Sequence, residues 1–292
     1  MRRTILITGH KGLIGTHLKE HFFCVAGDDV IGIGRETWGR IKENKETFST
    51  FLHKQKLFPD VIIHCAGEIY NESNMFDTNV ELTKQILDYV VENSNVEMIN
   101  ISSSSIYGKV GYPTSERDII VPQDIYSTTK GIGSIMSIGY GRRYNLKITD
   151  VRPYSIYGVG EKSHKLLPSL FRAFTNNEPM VLSDGMHDWT YIEDFLEAID
   201  KIISKKDKPF GDIVNIGSGI ETSNFDVYMV FAKYFGFDSQ AVTLNHDGYL
   251  RERDTRTWCC NNRYSKEFYD IEYKYTVENG IFKMIDKLTE KL

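Results

Sequence analysis

The sequence predicts an α/β protein: a doubly wound parallel sheet with a smaller C-terminal lobe. Three observations carry that reading. Short β-branched runs alternate with longer amphipathic stretches through the first half of the chain. The runs are apolar nearly end to end instead of alternating, as strands covered on both faces are. A glycine-rich turn joins the first run to the first amphipathic stretch, the place where such sheets tighten a strand into a helix.

In chain order, the predicted strands are "TILIT" (4–8), "VIGIG" (30–34), "DVIIHCA" (60–66), "EMINIS" (97–102) and "KITDVR" (147–152). Helical patterns fall between them near 13–22, 45–57, 76–93 and 126–145, which is the βαβ rhythm. After residue 152 the rhythm loosens. "PYSIYGVGEKSH" reads as a loop, 165–176 as a helix, and "DIVNIG" (212–217) as one more strand of the same sheet. Helices near 224–236 and 278–290 belong to the smaller lobe. The expected division is a nucleotide-binding domain over 1–160, completed by about 190–217, and a lobe formed by 161–189 and 218–292. No internal repeat, low-complexity tract or Pro/Gly/Ser linker interrupts the chain.

A hydrophobic fraction of 41% with 26% charged residues is ordinary for a soluble globular protein. A net charge of -5 argues against nucleic acid or an anionic membrane as the main partner. The apolar N-terminal run stops at Thr8, too short for a signal peptide core or a membrane span and well suited to a buried first strand. Cys24, Cys65, Cys259 and Cys260 lack paired C-x-x-C spacing and are too few for a disulfide scaffold. These features predict a reduced, cytoplasmic protein.

"TGHKGLIG" sets Gly9, Gly12 and Gly15 at the first strand–helix junction. Glycines there let backbone N–H groups approach a phosphate, and the helix N-terminus adds its dipole. The spacing is G-x-x-G-x-x-G, not the G-x-G-x-x-G of most dehydrogenases. In an NAD enzyme the second strand delivers a carboxylate to the adenosine ribose. Here that position is Gly34, followed by Arg35, with Lys11 in the glycine turn. Two cations converging on a 2′-phosphate favour NADP(H). NAD(H) remains open, because Glu36 can serve a ribose hydroxyl and both cations can be plain surface charges.

"YSTTK" places Tyr126 and Lys130 one turn apart, on one helix face. A phenol ionises near 10, and an ammonium beside it lowers that value. "ISSSSIYG" (101–108) puts four serines just past the fourth main strand, where open α/β sheets bind ligands. A serine there can bridge the phenol and a substrate oxygen, or can simply cap the strand end with a small residue.

Together these motifs resemble the extended short-chain dehydrogenase/reductase family, the epimerase/dehydratase group that acts on nucleotide sugars. The resemblance spans nearly the whole chain. It includes "DVIIHCAG" (60–67), Asn79 in "DTNVELT", "VRPYSIYG" (151–158), "DGMHDWTYIEDFLEAI" (184–199), "RERDTRTWCCNNRYSKE" (251–267) and "VENGI" (277–281). It implies a Rossmann-type fold, a nucleotide-sugar substrate and a homodimer. It makes Ser103 the catalytic serine, Tyr126 the acid/base and Lys130 the residue that lowers its pKa and holds the cofactor ribose. It places Gly9, Lys11, Gly12, Leu13, Ile14, Gly15, Arg35, Ala66 and Pro153 at the cofactor, with Tyr126 and Lys130. Ser104, Ser105, Ser155, His164 and Arg251 fall at the substrate, Arg251 gripping the diphosphate.

Departures from the family pattern select the reaction. Nucleotide-sugar 4,6-dehydratases carry an Asp-Glu pair where Ser104 and Ser105 stand, so elimination of water lacks its acid and base. GDP-fucose synthases, similar in "GHKGLIG" and "SHKLLPSLFRAF", use a cysteine where Ser105 stands and a histidine where His164 stands. Only half of that epimerising pair is present. The loop asparagine of the family is Ser155 here, and the arginine before "DW" is His187. The leading expectation is an NADPH-dependent reductase of a 4-keto nucleotide sugar. The alternatives are an NAD-dependent 4-epimerase and a non-catalytic, cofactor-sensing member of the fold.

Overall fold

The computed structural model describes residues 2–236, 244–245 and 257–290. Its strands are β1 (Thr4–Thr8), β2 (Asp29–Ile33), β3 (Val61–His64), β4 (Glu97–Ile101), β5 (Ile148–Pro153), β6 (Ser155–Tyr157), β7 (Met180–Val181), β8 (Met186–Tyr191), β9 (Asp212–Ile216), β10 (Glu221–Ser223) and β11 (Leu244–Asn245). Its helices are α1 (Leu13–Glu20), α2 (Arg35–Glu43), α3 (Phe48–Lys54), α4 (Glu72–Phe76), α5 (Leu82–Glu92), α6 (Ile125–Tyr144), α7 (Leu166–Asn176), α8 (Ile192–Ser204), α9 (Asn224–Phe235), α10 (Arg263–Tyr269) and α11 (Val277–Thr289). No helix among the described residues is long and apolar enough to cross a membrane.

Six strands form one sheet in the order β2-β1-β3-β4-β5-β9. β1 to β5 pair in parallel, with Ile5 opposite both Val30 and Val61. The order reverses after β1, so β1 and β3 flank the switch point at which open α/β sheets bind ligands beyond their strand ends. Every residue of β3 and β5 is buried, as the apolar runs require. Leu6, Trp38, Ile41, Phe48, Ile62, Ile86 and Leu87 pack into one cluster on one face of this Rossmann-type sheet.

The chain separates into two compact units. The first holds residues 1–108, 116–153 and 199–215; the second holds 109–115, 154–198 and the described residues from 216 onward. In the second unit β8 pairs with β6 in parallel and with β10 antiparallel.

Where structure and sequence expectation differ, local chemistry explains it. Two helices stand where one was expected over 45–57: α2 lies before that range and only α3 falls within it. Lys45 sits at φ 53° and ends the first. Thr47 caps the second by accepting from the Thr50 N–H. Trp38 and Ile41 are the buried face that 35–43 presents. The loop expected over 153–164 begins with β6, whose three residues are ordered by pairing with β8 and are too few to show a period.

Candidate active site

The glycine turn is built by close approach. Gly9 adopts φ +70°, its N–H donates to the Ile33 carbonyl at 2.8 Å, and a Cβ on it would lie 2.7 Å from the Ala66 nitrogen. A Cβ on Gly15 would collide with the Gly9 carbonyl. The Gly12 N–H closes the turn onto the same carbonyl at 2.9 Å. No side chain caps α1. The N–H groups of its first turn, at Leu13 and Ile14, are therefore left to an anion. These features fit a dinucleotide diphosphate.

The end of β2 differs from the sequence expectation. Lys11 and Arg35 do not converge on one anion position. Arg35 Nη2 donates to Glu68 Oε2 at 2.8 Å, and Lys11 Nζ donates to Glu36 Oε1 at 2.9 Å. The other Glu36 oxygen lies 2.9 Å from where a Cβ on residue 34 would stand. A carboxylate thus occupies the space of the missing acidic side chain, reaching it from two residues further on. The hydrogen bond from Lys11 keeps Glu36 below the usual carboxylate range. The His10 ring packs against Gly32 and Gly34, where any side chain would displace it.

Glu68 is a site residue that sequence reasoning missed. One carboxylate oxygen accepts from the N–H groups of Ile69, Tyr70 and Asn71 at 3.0–3.2 Å, and the other takes Arg35. Burial opposes its ionisation, but those donors hold it below the usual range. Asn79 clamps the same segment: its Oδ1 accepts from the Glu68 N–H at 2.8 Å and its Nδ2 donates to the Glu68 carbonyl at 3.0 Å. Asn79 lies in a π-helical turn, Asp77–Glu81, between α4 and α5.

α6 carries Tyr126 and Lys130. Asp124 caps it, accepting from the Ser127 N–H while the Ser127 hydroxyl accepts from the Asp124 N–H. Asn145, at φ 54°, ends it. Lys130 is buried, and its Nζ donates to the Ile101 carbonyl at the end of β4, 2.5 Å away. Burial pulls its pKa down to about 8, against the opposing pull of Asp150. Asp150 is itself held by Asn100 at 2.7 Å, Ser134 at 2.6 Å and Arg152 at 3.0 Å.

Two residues past Ile101, Ser103 caps the 3-10 turn Ser104–Tyr107. Its Oγ accepts from the Ser105 N–H at 3.1 Å and from the Ser105 hydroxyl at 2.8 Å. Both acceptor sites are filled, so its own proton is what it can offer a ligand. Of the two roles the sequence left open for these serines, the capping one is seen at Ser103. Ser104 is only 4% exposed: the 3-10 turn rotates it inward. Tyr107, at the end of that turn, takes a 2.8 Å hydrogen bond from Arg152 and donates one to Asn215.

The structure thus gathers Ser103, Lys130, Asn79 and the glycine turn within the first unit. Tyr126 sits one helical turn before Lys130, and Pro153 is the buried last residue of β5. Ser155 and His164 belong to the second unit. There the Ser155 hydroxyl lies 3.3 Å from His187 Nδ1, His187 packs on Trp189, and His164 is exposed on the segment before α7. Arg251 lies outside the described residues.

Comparison with known proteins follows the same lines. The low-salt glycan biosynthesis protein Agl12 of Haloferax volcanii is 25% identical over 247 residues, covering 76% of this chain and 79% of that protein. The Bacillus anthracis dTDP-glucose 4,6-dehydratase, solved with NAD, superposes with a TM-score of 0.85 at 22% identity, over 99% of this chain and 97% of its own. The Bacillus cereus UDP-glucuronic acid 4-epimerase, solved with UDP-glucuronic acid and NAD, gives 0.82 at 21% identity, over 99% and 100%. Residues 5–217, from the first strand to the end of the sheet, match the family described as the NAD dependent epimerase/dehydratase family. That span contains the glycine turn, the serine turn and the Tyr126–Lys130 pair, and the chain belongs to this family.

Proposed function

We propose that the protein is a nucleotide-sugar 4-epimerase that works with retained NAD. The observation that carries this reading is the charge balance at the end of β2. Arg35 and Lys11 are each matched by a carboxylate, and a Glu36 oxygen lies beside Gly34, from where it would meet a ribose diol. A 2′-phosphate brought to this spot would face Glu36. The reading replaces the expectation that NADP(H) is favoured and moves the 4-epimerase ahead of the 4-keto reductase. The nucleotide-sugar epimerases and dehydratases among the structural neighbours support it at the level of fold.

The chemistry follows from the residues present. The glycine turn and Lys130 would hold NAD, whose nicotinamide would supply a reversible hydride acceptor for sugar C4. Tyr126 accepts the proton of the C4 hydroxyl in the first half-reaction and returns one in the second. Lys130 favours the phenolate that makes this possible. Ser103 donates its free proton to the C4 oxygen and holds it in line. Hydroxyl groups at Ser104 and Ser105 supply neither the acid nor the base that loss of water needs, which sets this chain apart from 4,6-dehydratases. Inversion results when the keto sugar turns over between the two transfers, leaving the cofactor unchanged overall.

One observation favours the second reading, an NADPH-dependent 4-keto reductase. The Arg35 side chain is 83% exposed, whereas its partner Glu68 is buried and holds three backbone N–H groups as well, so a phosphate could draw the guanidinium away and leave Glu68 its other donors. Mass spectrometry of the nucleotide released on denaturing the purified protein separates the two. Retained NAD, with UDP-glucose and UDP-galactose interconverting without added cofactor, is the expected result. NADPH-dependent consumption of a 4-keto sugar, with no nucleotide retained, overturns it.

A further inference from the structure

His64 is buried in the last position of β3, and its ring has a hydroxyl at each nitrogen. Thr8 Oγ1 lies 2.7 Å from Nδ1 and Thr83 Oγ1 lies 2.9 Å from Nε2. The direction of each bond is fixed by its neighbours. Thr83 donates its proton to the Asn79 carbonyl at 2.9 Å, so it can only accept from the ring. Nε2 therefore carries the proton, and Nδ1 accepts the one from Thr8. Thr8 Oγ1 in turn accepts from the Ala66 N–H at 3.2 Å. The chain runs one way throughout: Ala66 N–H to Thr8, Thr8 to His64, His64 to Thr83, Thr83 to Asn79.

Both ends reach the site. Ala66 is the residue on which Gly9 closes, with no room for a Cβ between them. Asn79 Nδ2 donates to Thr129 Oγ1 at 3.0 Å, and Thr129 donates to the carbonyls of Ile125 at 2.9 Å and Tyr126 at 3.0 Å. A protonated ring would have to donate at Nδ1 to Thr8, whose proton already points there. Burial agrees, holding His64 down to about 3, with Lys130 adding to the effect.

We propose that His64 is a positioning residue. As the neutral Nε2–H tautomer it ties the glycine turn, through Thr83 and Asn79, to the first turn of α6 where Tyr126 sits. This rests on the glycine turn holding the cofactor and Tyr126 acting on the sugar, so the test includes readouts that need no turnover. Histidine-labelled protein is studied by proton–nitrogen NMR, with His64→Gln assigning the resonance. NAD titrations are run on Thr83→Ser, which keeps the hydroxyl, and Thr83→Val, which removes it.

The expected spectrum has one imidazole protonated at Nε2 and bare at Nδ1, unchanged from about pH 5 to pH 9. Thr83→Val shifts the proton toward Nδ1 and weakens NAD about tenfold. Thr83→Ser stays within about twofold on both counts. Any epimerase turnover falls with the valine variant in kcat more than in KM. A wild-type ring protonated at Nδ1, or at both nitrogens, overturns the wiring. A correct tautomer with equal NAD affinity in the two variants overturns the positioning role. Absence of turnover in the wild-type protein counts against the proposed activity alone, since the spectrum and titrations still decide this proposal.

Discussion

Lys130→Met sets function against stability and gives a number that can be checked. Burial holds the Lys130 ammonium down to about 8 from its usual 10.5, even with Asp150 pulling the other way. At about 1.36 kcal/mol per pKa unit, carrying that proton costs the folded state roughly 3 kcal/mol near neutrality. The unfolded chain keeps its proton up to about 10.5 and the folded chain releases it near 8. Between those values the unfolded state binds more protons, so stability rises with pH. Methionine removes this cost at every pH, but leaves the Ile101 carbonyl without its donor, a loss of roughly 1–3 kcal/mol. At about pH 7 the variant should equal or exceed the parent by roughly 0–2 kcal/mol, while turnover collapses. Raising the pH to about 10 should move the difference by roughly 2–3 kcal/mol in the parent's favour, whatever the carbonyl costs. Urea unfolding of cofactor-stripped parent and variant across that range measures it. A stability difference that does not change with pH would refute the argument.

Three further outcomes follow from the geometry. Tyr126→Phe removes only the transferable proton, so NAD binding should persist while turnover drops by about 10²–10⁴-fold; near-normal activity would sink the assignment. Gly9→Ala forces a side chain into φ +70° with its Cβ 2.7 Å from the Ala66 nitrogen. The cost of roughly 2–5 kcal/mol should appear in urea unfolding, together with lost NAD binding. Glu36→Gln should weaken NAD by about 10- to 100-fold, as loss of one charge-assisted hydrogen bond would, and leave NADP unchanged or improved; equal weakening of both cofactors would mean that Glu36 does not meet the ribose.

The features legible in the sequence were the ones that short-range chemistry determines. The glycine turn is a strand–helix junction only eight residues long, and Tyr126 and Lys130 need only one helix to share a face. The six sheet strands announced themselves because burial on both faces leaves unbroken apolar runs. What escaped notice depended on residues far apart in the chain. Nothing near Arg35 says that Glu68 will meet it across 33 positions, or that Glu36 will fold back into the space left at Gly34. The "HCAG" run placed His64 in a strand, but its role rests on Thr8 and Thr83, contributed by two other elements. Ser104 and Ser105 look alike in sequence; the 3-10 turn alone sends one inward and leaves the other beside Ser103.

The glycines of α6 bear on the order in which the protein is made. Gly131, Gly133, Gly139 and Gly141 lie inside a helix of 20 residues, and each costs about 1 kcal/mol relative to alanine. Two of them admit a neighbour's backbone. A Cβ on Gly133 would sit 2.9 Å from the Asn79 carbonyl, and one on Gly141 would sit 2.5 Å from Gly211. A segment so poor in intrinsic helicity gains its shape from docking and not before it. Gly211 emerges from the ribosome some seventy residues after Gly141, so the newborn segment lacks one of its supports for that interval. Tyr126 and Lys130 should therefore come into register late in synthesis, and a nascent chain arrested before β9 should protect α6 amides from exchange far less than the finished protein does.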